Sequence, residues 1–333
     1  MTDISYLTKN YDEKICRIVE LDAPLNFVFI TDQHNRLNQL SAKYSKTRTP
    51  DDYELAVNAV EAIRYVVERC PKIDCVISGG DIGNDYFHDP QQIRDSLHEI
   101  ANAMYTLPVP VHCVIGNHDD AVGTAMLRGY DTTRYAIKPD ELHDLCMKSN
   151  PTAENYYFID HEASGTRLVF LNTSDNPWLT DASGQYTHGY RLEISAKQIK
   201  WFAEEALSTD KKVLVVSHGP LTNRGMFGSV SGGIMPYDNV RNNSEMLHLI
   251  RTHKNVKALI AGHVHYDNIH YLEDFDHLVS ITTMSSYLDL QCFQKRWFRE
   301  ETETAFDVFS VKDSRVHITR FGAGTDRIAH FLR

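Results

Sequence analysis

Val256-Lys257-Ala258-Leu259-Ile260-Ala261-Gly262-His263-Val264-His265 reads as a short buried strand running into two histidines one residue apart. If the chain turns at Gly262, both imidazoles can face one site, and neutral imidazole is a common ligand for transition metals. Taken alone, such a pair is more often a solvated or hydrogen-bonded structural feature. What changes its weight is recurrence.

The same grammar, an apolar strand followed by a metal-type ligand, occurs four more times upstream. Leu25–Ile30 leads to Asp32 and His34. Ile73–Ile77 leads through Gly79-Gly80 to Asp81, the glycines permitting a tight turn. Val109–Ile115 leads to Gly116-Asn117-His118-Asp119, with His112 inside the strand as a structural histidine. Lys212–Val216 delivers His218. Arg167–Leu171 is a further strand whose end carries Asn172 and Asp175, read as turn residues. Asp32 by itself is as well read as a turn or cap residue; five such strand ends together are not well explained by accident.

Helices are expected between the strands. Thr49-Pro50-Asp51-Asp52 has the N-cap, proline and acidic first turn of a helix start, with apolar spacing continuing to about Arg69. Others cover about Gln91–Met104, a helix capped by Ser195 running to about Leu207, and about Ser244–Thr252. Cys16–Leu21 is read as an edge strand within a polar lead-in. Residues 120–165 read as loops and short helices, and 221–241 as a long surface loop. Strands are expected at Val279–Thr283, Ala305–Lys312 and Val316–Phe321. Alternating strands and helices with ligands at strand ends describe an α/β protein whose site lies at the carboxyl ends of its strands. We expect one domain over 1–333, with a motif-bearing core at about 25–266 and a short β-rich C-terminal extension at about 279–333.

Composition sets outer bounds. The chain has 333 residues, 42% hydrophobic and 24% charged, in the globular range, and a formal net charge of −11. That charge and the lack of a basic run argue against a nucleic-acid surface, and so against a nuclease. It does not argue against an anionic small substrate, since bound metal reverses the local field. No apolar stretch nears the roughly 20 residues of a membrane span, and Met1–Ser5 carries no secretory pattern. Six cysteines without C-x-x-C spacing fit reduced thiols, hence a cytoplasmic protein. Oligomeric state is not legible.

The ordered blocks Asp32-Gln33-His34, Gly80-Asp81-Ile82-Gly83, Gly116-Asn117-His118-Asp119, His218 and Gly262-His263-Val264-His265 resemble the signature of the calcineurin-like metallophosphoesterase superfamily. The resemblance implies a four-layer α/β/β/α sandwich and a dinuclear centre. One metal would be held by Asp32, His34, Asp81 and His265, the other by Asp81, Asn117, His218 and His263, with Asp81 bridging. His118 would protonate the leaving group or steady the phosphoryl oxygens, and Asp119 would orient His118. The metals would be Mn, Fe, Zn, Co or Ni, because carboxylate, amide and imidazole ligands without thiolate suit these ions. Two such ions neutralise phosphoryl oxygens and activate a hydroxide at neutral pH.

Departures narrow the implied substrate. Asn84 stands where purple acid phosphatases of the superfamily have an iron-binding tyrosine. Asn84-Asp85 and Asp119-Asp120 stand where its protein phosphatases have arginines. The motif style is more similar to bacterial cyclic-nucleotide phosphodiesterases. The expected activity is hydrolysis of a small or nucleotide-like phosphodiester, with a phosphomonoesterase or a silent metal-binding scaffold as alternatives. Arg36 and Arg224 read as exposed surface arginines first and as candidate phosphate clamps second. Tyr186, Phe227 and Tyr237 are read as loop packing.

Overall fold

Two six-stranded sheets face each other in the computed structural model, which describes residues 3–35, 55–222, 240–272, 274–286, 297 and 299–331. The first sheet contains β1 (Leu25–Ile30), β2 (Cys75–Ser78), β3 (Val111–Cys113), β10 (Ala305–Lys312), β11 (Arg315–Gly322) and β12 (Arg327–His330), in the order β12-β11-β10-β1-β2-β3. The second contains β4 (Tyr157–His161), β5 (Thr166–Leu171), β6 (Lys212–Ser217), β7 (Val256–Ala261), β8 (Asn268–Tyr271) and β9 (Val279–Thr282), in the order β4-β5-β6-β7-β9-β8. β1, β2 and β3 run parallel, as do β5, β6, β7 and β9.

The central strands are apolar on both faces because both faces are covered. From β1, Phe27 and Phe29 point between the sheets, where they meet Phe170, Val216 and Ile260 of the second sheet. Val28 and Ile30 point the other way, against Ile63 and Val66 of the helix Leu55–Arg69 and Leu97 and Ile100 of the helix Pro90–Met104. On the far side, Val169, Val215 and Leu259 pack on Phe202, Met246 and Ile250 from the helices that follow Ser195 and Asn242. The layers are helix, sheet, sheet, helix.

Several expectations need correction. Cys16–Leu21 is not an edge strand but part of the helix Tyr11–Leu21, whose Tyr11, Ile15 and Ile18 are buried at helical spacing. The helix capped by Ser195 is α-helical only over Ala196–Trp201 and widens to a π turn over Phe202–Ala206. Residues 120–165 contain three short helices and also β4. The strands expected towards the C-terminus are present, and they join both sheets: β10 pairs antiparallel with β1, and β9 pairs parallel with β7. Thr49–Asp52 lies outside the described residues.

A buried charge cluster joins the sheets on one side. Arg320 is wholly buried and binds Asp307 through Nε (2.7 Å) and Nη2 (3.0 Å), and Asp267 through Nη2 (2.8 Å). Arg327 binds both acids as well. Two cations and two anions thus satisfy one another. Removing one member strands a buried charge, so Arg320→Met is expected to cost about 3–5 kcal/mol in denaturant unfolding.

His112 lies buried between the sheets, with Nδ1 3.0 Å from the Tyr157 hydroxyl and its ring stacked on Phe170. Burial pushes its pKa down from 6.5 to about 4. Its neutral form is the folded one, so its contribution is complete above about pH 6.5 and is lost as pH falls toward about 4. His112→Gln should therefore flatten the acid-side decline in stability by about 1.4 kcal/mol per pH unit within that window. Urea titrations of both proteins across the window check this; parallel curves would contradict it.

Candidate metal centre

Every ligand-type residue anticipated from strand ends lies where a strand of the two central parallel sets finishes. β1 ends before Asp32 and His34, β2 before Asp81, β3 before Asn117, β6 before His218, and β7 before His263 and His265. The loops are zipped together: Asp32 N donates to Gly80 O (2.9 Å), His34 N to Asp81 O (2.8 Å), and Gly262 N to His218 O (3.1 Å).

Two ligand groups result. Asp32, His34 and His265 form one, and Asp81, His218 and His263 the other, the ligand atoms of each lying within 4.8 Å of one another. In the first, His265 Nε2 is 3.1 Å from Asp32 Oδ1 and 3.3 Å from His34 Nε2. In the second, His218 Nε2 faces Asp81 Oδ2 at 3.2 Å, Asn117 Oδ1 at 3.0 Å and His263 Nδ1 at 3.2 Å. Asp81 Oδ2 is also 3.6 Å from His34 Nε2, so one carboxylate oxygen is shared between the groups.

Neighbours aim each donor. Asp32 Oδ2 accepts from Thr31 Oγ1 and His263 N, leaving Oδ1 for the site. Asp81 Oδ1 accepts from His118 N, leaving Oδ2. His218 Nδ1 donates to Gly79 O (2.8 Å), which presents Nε2 inward. Burial pushes His34 and His263 down to about 3, keeping them in the neutral, ligating form. At His218 burial acts the same way, but the Asp81 charge overrides it and lifts the imidazole to about 9. Cations placed among these acceptors would answer that same negative field. The donor set of carboxylate and amide oxygens and imidazole nitrogens, free of thiolate, fits two transition ions.

The geometry has a conformational cost. Asp32, His34, Asp81, His263 and His265 all have positive φ, between 41° and 67°. Such backbone costs about 1 kcal/mol or more per residue and persists only where the surroundings enforce it. Space is equally tight: a Cβ on Gly116 would lie 2.2 Å from Asp81 Oδ1, and one on Gly262 1.9 Å from Thr31 Oγ1.

The role expected for Asp119 is corrected. Its carboxylate does not reach the His118 ring; it accepts from the N–H groups of Asp81, Ile82, Gly83 and Gly116. It straps two ligand loops together, and burial with the nearby Asp81 charge raises it to about 6. The carboxylate on His118 is Asp85, with Oδ1 2.8 Å from Nδ1. Burial disfavours protonation of His118, yet Asp85 and Asp81 outweigh it and hold its pKa well above the usual imidazole range. Sequence reading passed over Asp85 as a mere departure from a pattern. It also passed over Tyr190, whose hydroxyl donates to Asn117 O (3.1 Å) from a distant loop. Asn172 and Asp175 serve turns: Asn172 Oδ1 accepts from Ser174 N, and Asp175 Oδ2 from Ser195 N and Gln198 Nε2. Tyr186 packs on Val122 and Ala136. Arg36, Arg224, Phe227 and Tyr237 lie outside the described residues. The five described cysteines are free thiols. Among the described residues, no helix is long and apolar enough to cross a membrane.

Residues 25–267 match the family described as calcineurin-like phosphoesterase. A 3',5'-cyclic-nucleotide phosphodiesterase from Nostoc sp. (strain PCC 7120) is 22% identical over 258 residues, covering 75% of this chain and 77% of that protein. Among solved structures, a dimetal phosphatase from Danio rerio superposes with a TM-score of 0.58 at 17% identity, covering 93% of this chain and 100% of that one. GAP50, the anchor in the inner membrane complex of Plasmodium, gives 0.52 at 12% identity, covering 92% and 88%. These two likenesses concern the fold.

Gly262→Ala should weaken metal affinity by about 10- to 100-fold, the range for disturbed ligand support, by displacing Thr31 and Asp32. Calorimetric titration with Mn checks this, and an unchanged affinity would contradict the packing described.

Proposed function

As this chain belongs to the calcineurin-like phosphoesterase family and is a metal-dependent phosphoester hydrolase, we propose that its substrate is a small or nucleotide-like phosphodiester. The observation that carries the diester reading is electrostatic. Among the described residues, no lysine or arginine pairs with Asp32, Asp81, Asp85, Asp119 or Asp120, all of them buried. A monoester carries close to two negative charges at neutral pH, a diester one. Among the described residues the positive charge of the site would come from its cations and histidines, and such a field favours the less charged ester. The cyclic-nucleotide phosphodiesterase among the relatives agrees in direction.

In this reading Asp32, His34, Asp81 and His265 hold one cation, and Asp81, Asn117, His218 and His263 the other. When bound, such a pair neutralises phosphoryl oxygens and acidifies the attacking water. His118 supplies a proton to the departing oxygen, and Asp85 holds its ring and stabilises its protonated form. Asp119 positions the loops that carry Asp81 and Asn117. Free buried thiols are in keeping with a cytoplasmic location.

The test pairs elemental analysis with hydrolysis of bis(p-nitrophenyl) phosphate and p-nitrophenyl phosphate in Mn. About two ions per chain and faster diester cleavage are expected. Monoester preference would overturn the substrate reading, and metal-free protein after reconstitution would overturn the mechanism. His118→Ala should keep its metal and lose about 10²–10⁴ in kcat, whereas Asp81→Asn should lose metal. A metal-free His118→Ala protein would remove His118 from its assigned role.

A further inference from the structure

His118 touches two other rings. His34, in the first ligand group, meets it edge-on at 5.2 Å between centroids; Tyr86 lies beside it at 5.4 Å with planes tilted by 38°. The two neighbours differ in exposure. His34 is buried, while Tyr86 leaves 51% of its surface open. Exposure alone says little about a single ring; its place is what matters, since it puts an open aromatic face beside the His118 imidazole.

Tyr86 is also held in place. Arg128, at the end of the helix Val122–Arg128, puts its guanidinium 5.2 Å from the Tyr86 ring centroid and donates from Nη1 to Tyr86 O (3.3 Å). The next ring outward, Tyr130, is 5.9 Å from the same guanidinium and hydrogen-bonds His88 Nδ1 at 2.8 Å. Asp85, the partner of His118, is the residue immediately before Tyr86, so the ring and the proton donor are fixed by one short loop.

A group that protonates a leaving oxygen sits within hydrogen-bond reach of it, so whatever that oxygen carries must lie beside His118. We propose that Tyr86, steadied by Arg128, is the leaving-group platform, and that the substrate is a phosphodiester whose leaving group bears a flat aromatic ring of nucleobase type. This rests on the phosphodiesterase reading and extends it to the part of the substrate that departs. A ring that merely shielded the Asp85–His118 pair from water would not distinguish flat from saturated groups; a platform must.

The experiment measures affinity apart from turnover. Mn-loaded protein is titrated calorimetrically with methyl benzyl phosphate and with methyl cyclohexylmethyl phosphate, matched in charge and close in size. Wild type should bind the benzyl ester about tenfold tighter, the scale of one stacking contact. Tyr86→Phe should keep the preference, Tyr86→Ala should abolish it, and Arg128→Ala should reduce it. Equal affinities in wild type, or a preference surviving in Tyr86→Ala, would overturn the platform. Hydrolysis of bis(p-nitrophenyl) phosphate by the same samples separates the two readings: its absence counts against the phosphodiesterase, whereas lost discrimination with turnover intact counts against Tyr86 alone.

Discussion

One carboxylate oxygen, Oδ2 of Asp81, faces two candidate ligand groups at once, and much of the surrounding structure converges on it. It lies 3.2 Å from His218 Nε2 and 3.6 Å from His34 Nε2, while its partner oxygen is tied to the His118 backbone N–H. To bring those residues together, the ends of β1, β2, β3 and β6 must meet at one edge of the facing sheets. Asp81 itself must adopt a left-handed backbone, φ 53°, which the four N–H groups on Asp119 help to enforce. Gly116 must lack a side chain because Asp81 occupies the space where one would go.

Electrostatics runs through the same point. The chain carries a net charge of −11, and its centre concentrates further carboxylates in a buried space. Unpaired buried charge is costly. Elsewhere in the molecule the chain answers such charge with its own cations, as Arg320 and Arg327 do for Asp267 and Asp307. At the candidate ligand groups the described residues offer imidazoles instead, and these leave the positions between donors for ions. That contrast separates a structural charge cluster from a metal centre more clearly than any single distance.

The interior of the sheets was legible in the sequence, and so was the buried edge strand β3, but the partly exposed edges were not. β1, β5, β6 and β7 are buried on both faces and so read as continuous apolar runs. The strands that escaped notice, β4, β8 and β12, are all sheet edges with partly exposed residues, where neither an apolar run nor a clean alternation survives. The helix Tyr11–Leu21 was missed although its buried residues keep helical spacing, because apolar Cys16, Val19 and Leu21 lie among them and blur that spacing. The candidate ligands were legible because one pattern repeats at strand ends. Asp85, Tyr190 and the true partners of Asp119 were not, since their roles depend on which loop meets which in space. Asp119 adjoins His118 in sequence, yet the two side chains reach different parts of the loop after β2, Asp119 the N–H groups of Asp81–Gly83 and His118 the carboxylate of Asp85.

The central claim is that two cations sit on either side of Asp81. Diffraction from Mn-soaked crystals, recorded near the Mn absorption edge, tests it most directly. The account predicts two anomalous peaks about 3.5–4 Å apart, one among Asp32, His34 and His265 and the other among Asn117, His218 and His263, with Asp81 between them. A single peak, or peaks away from these side chains, would contradict it.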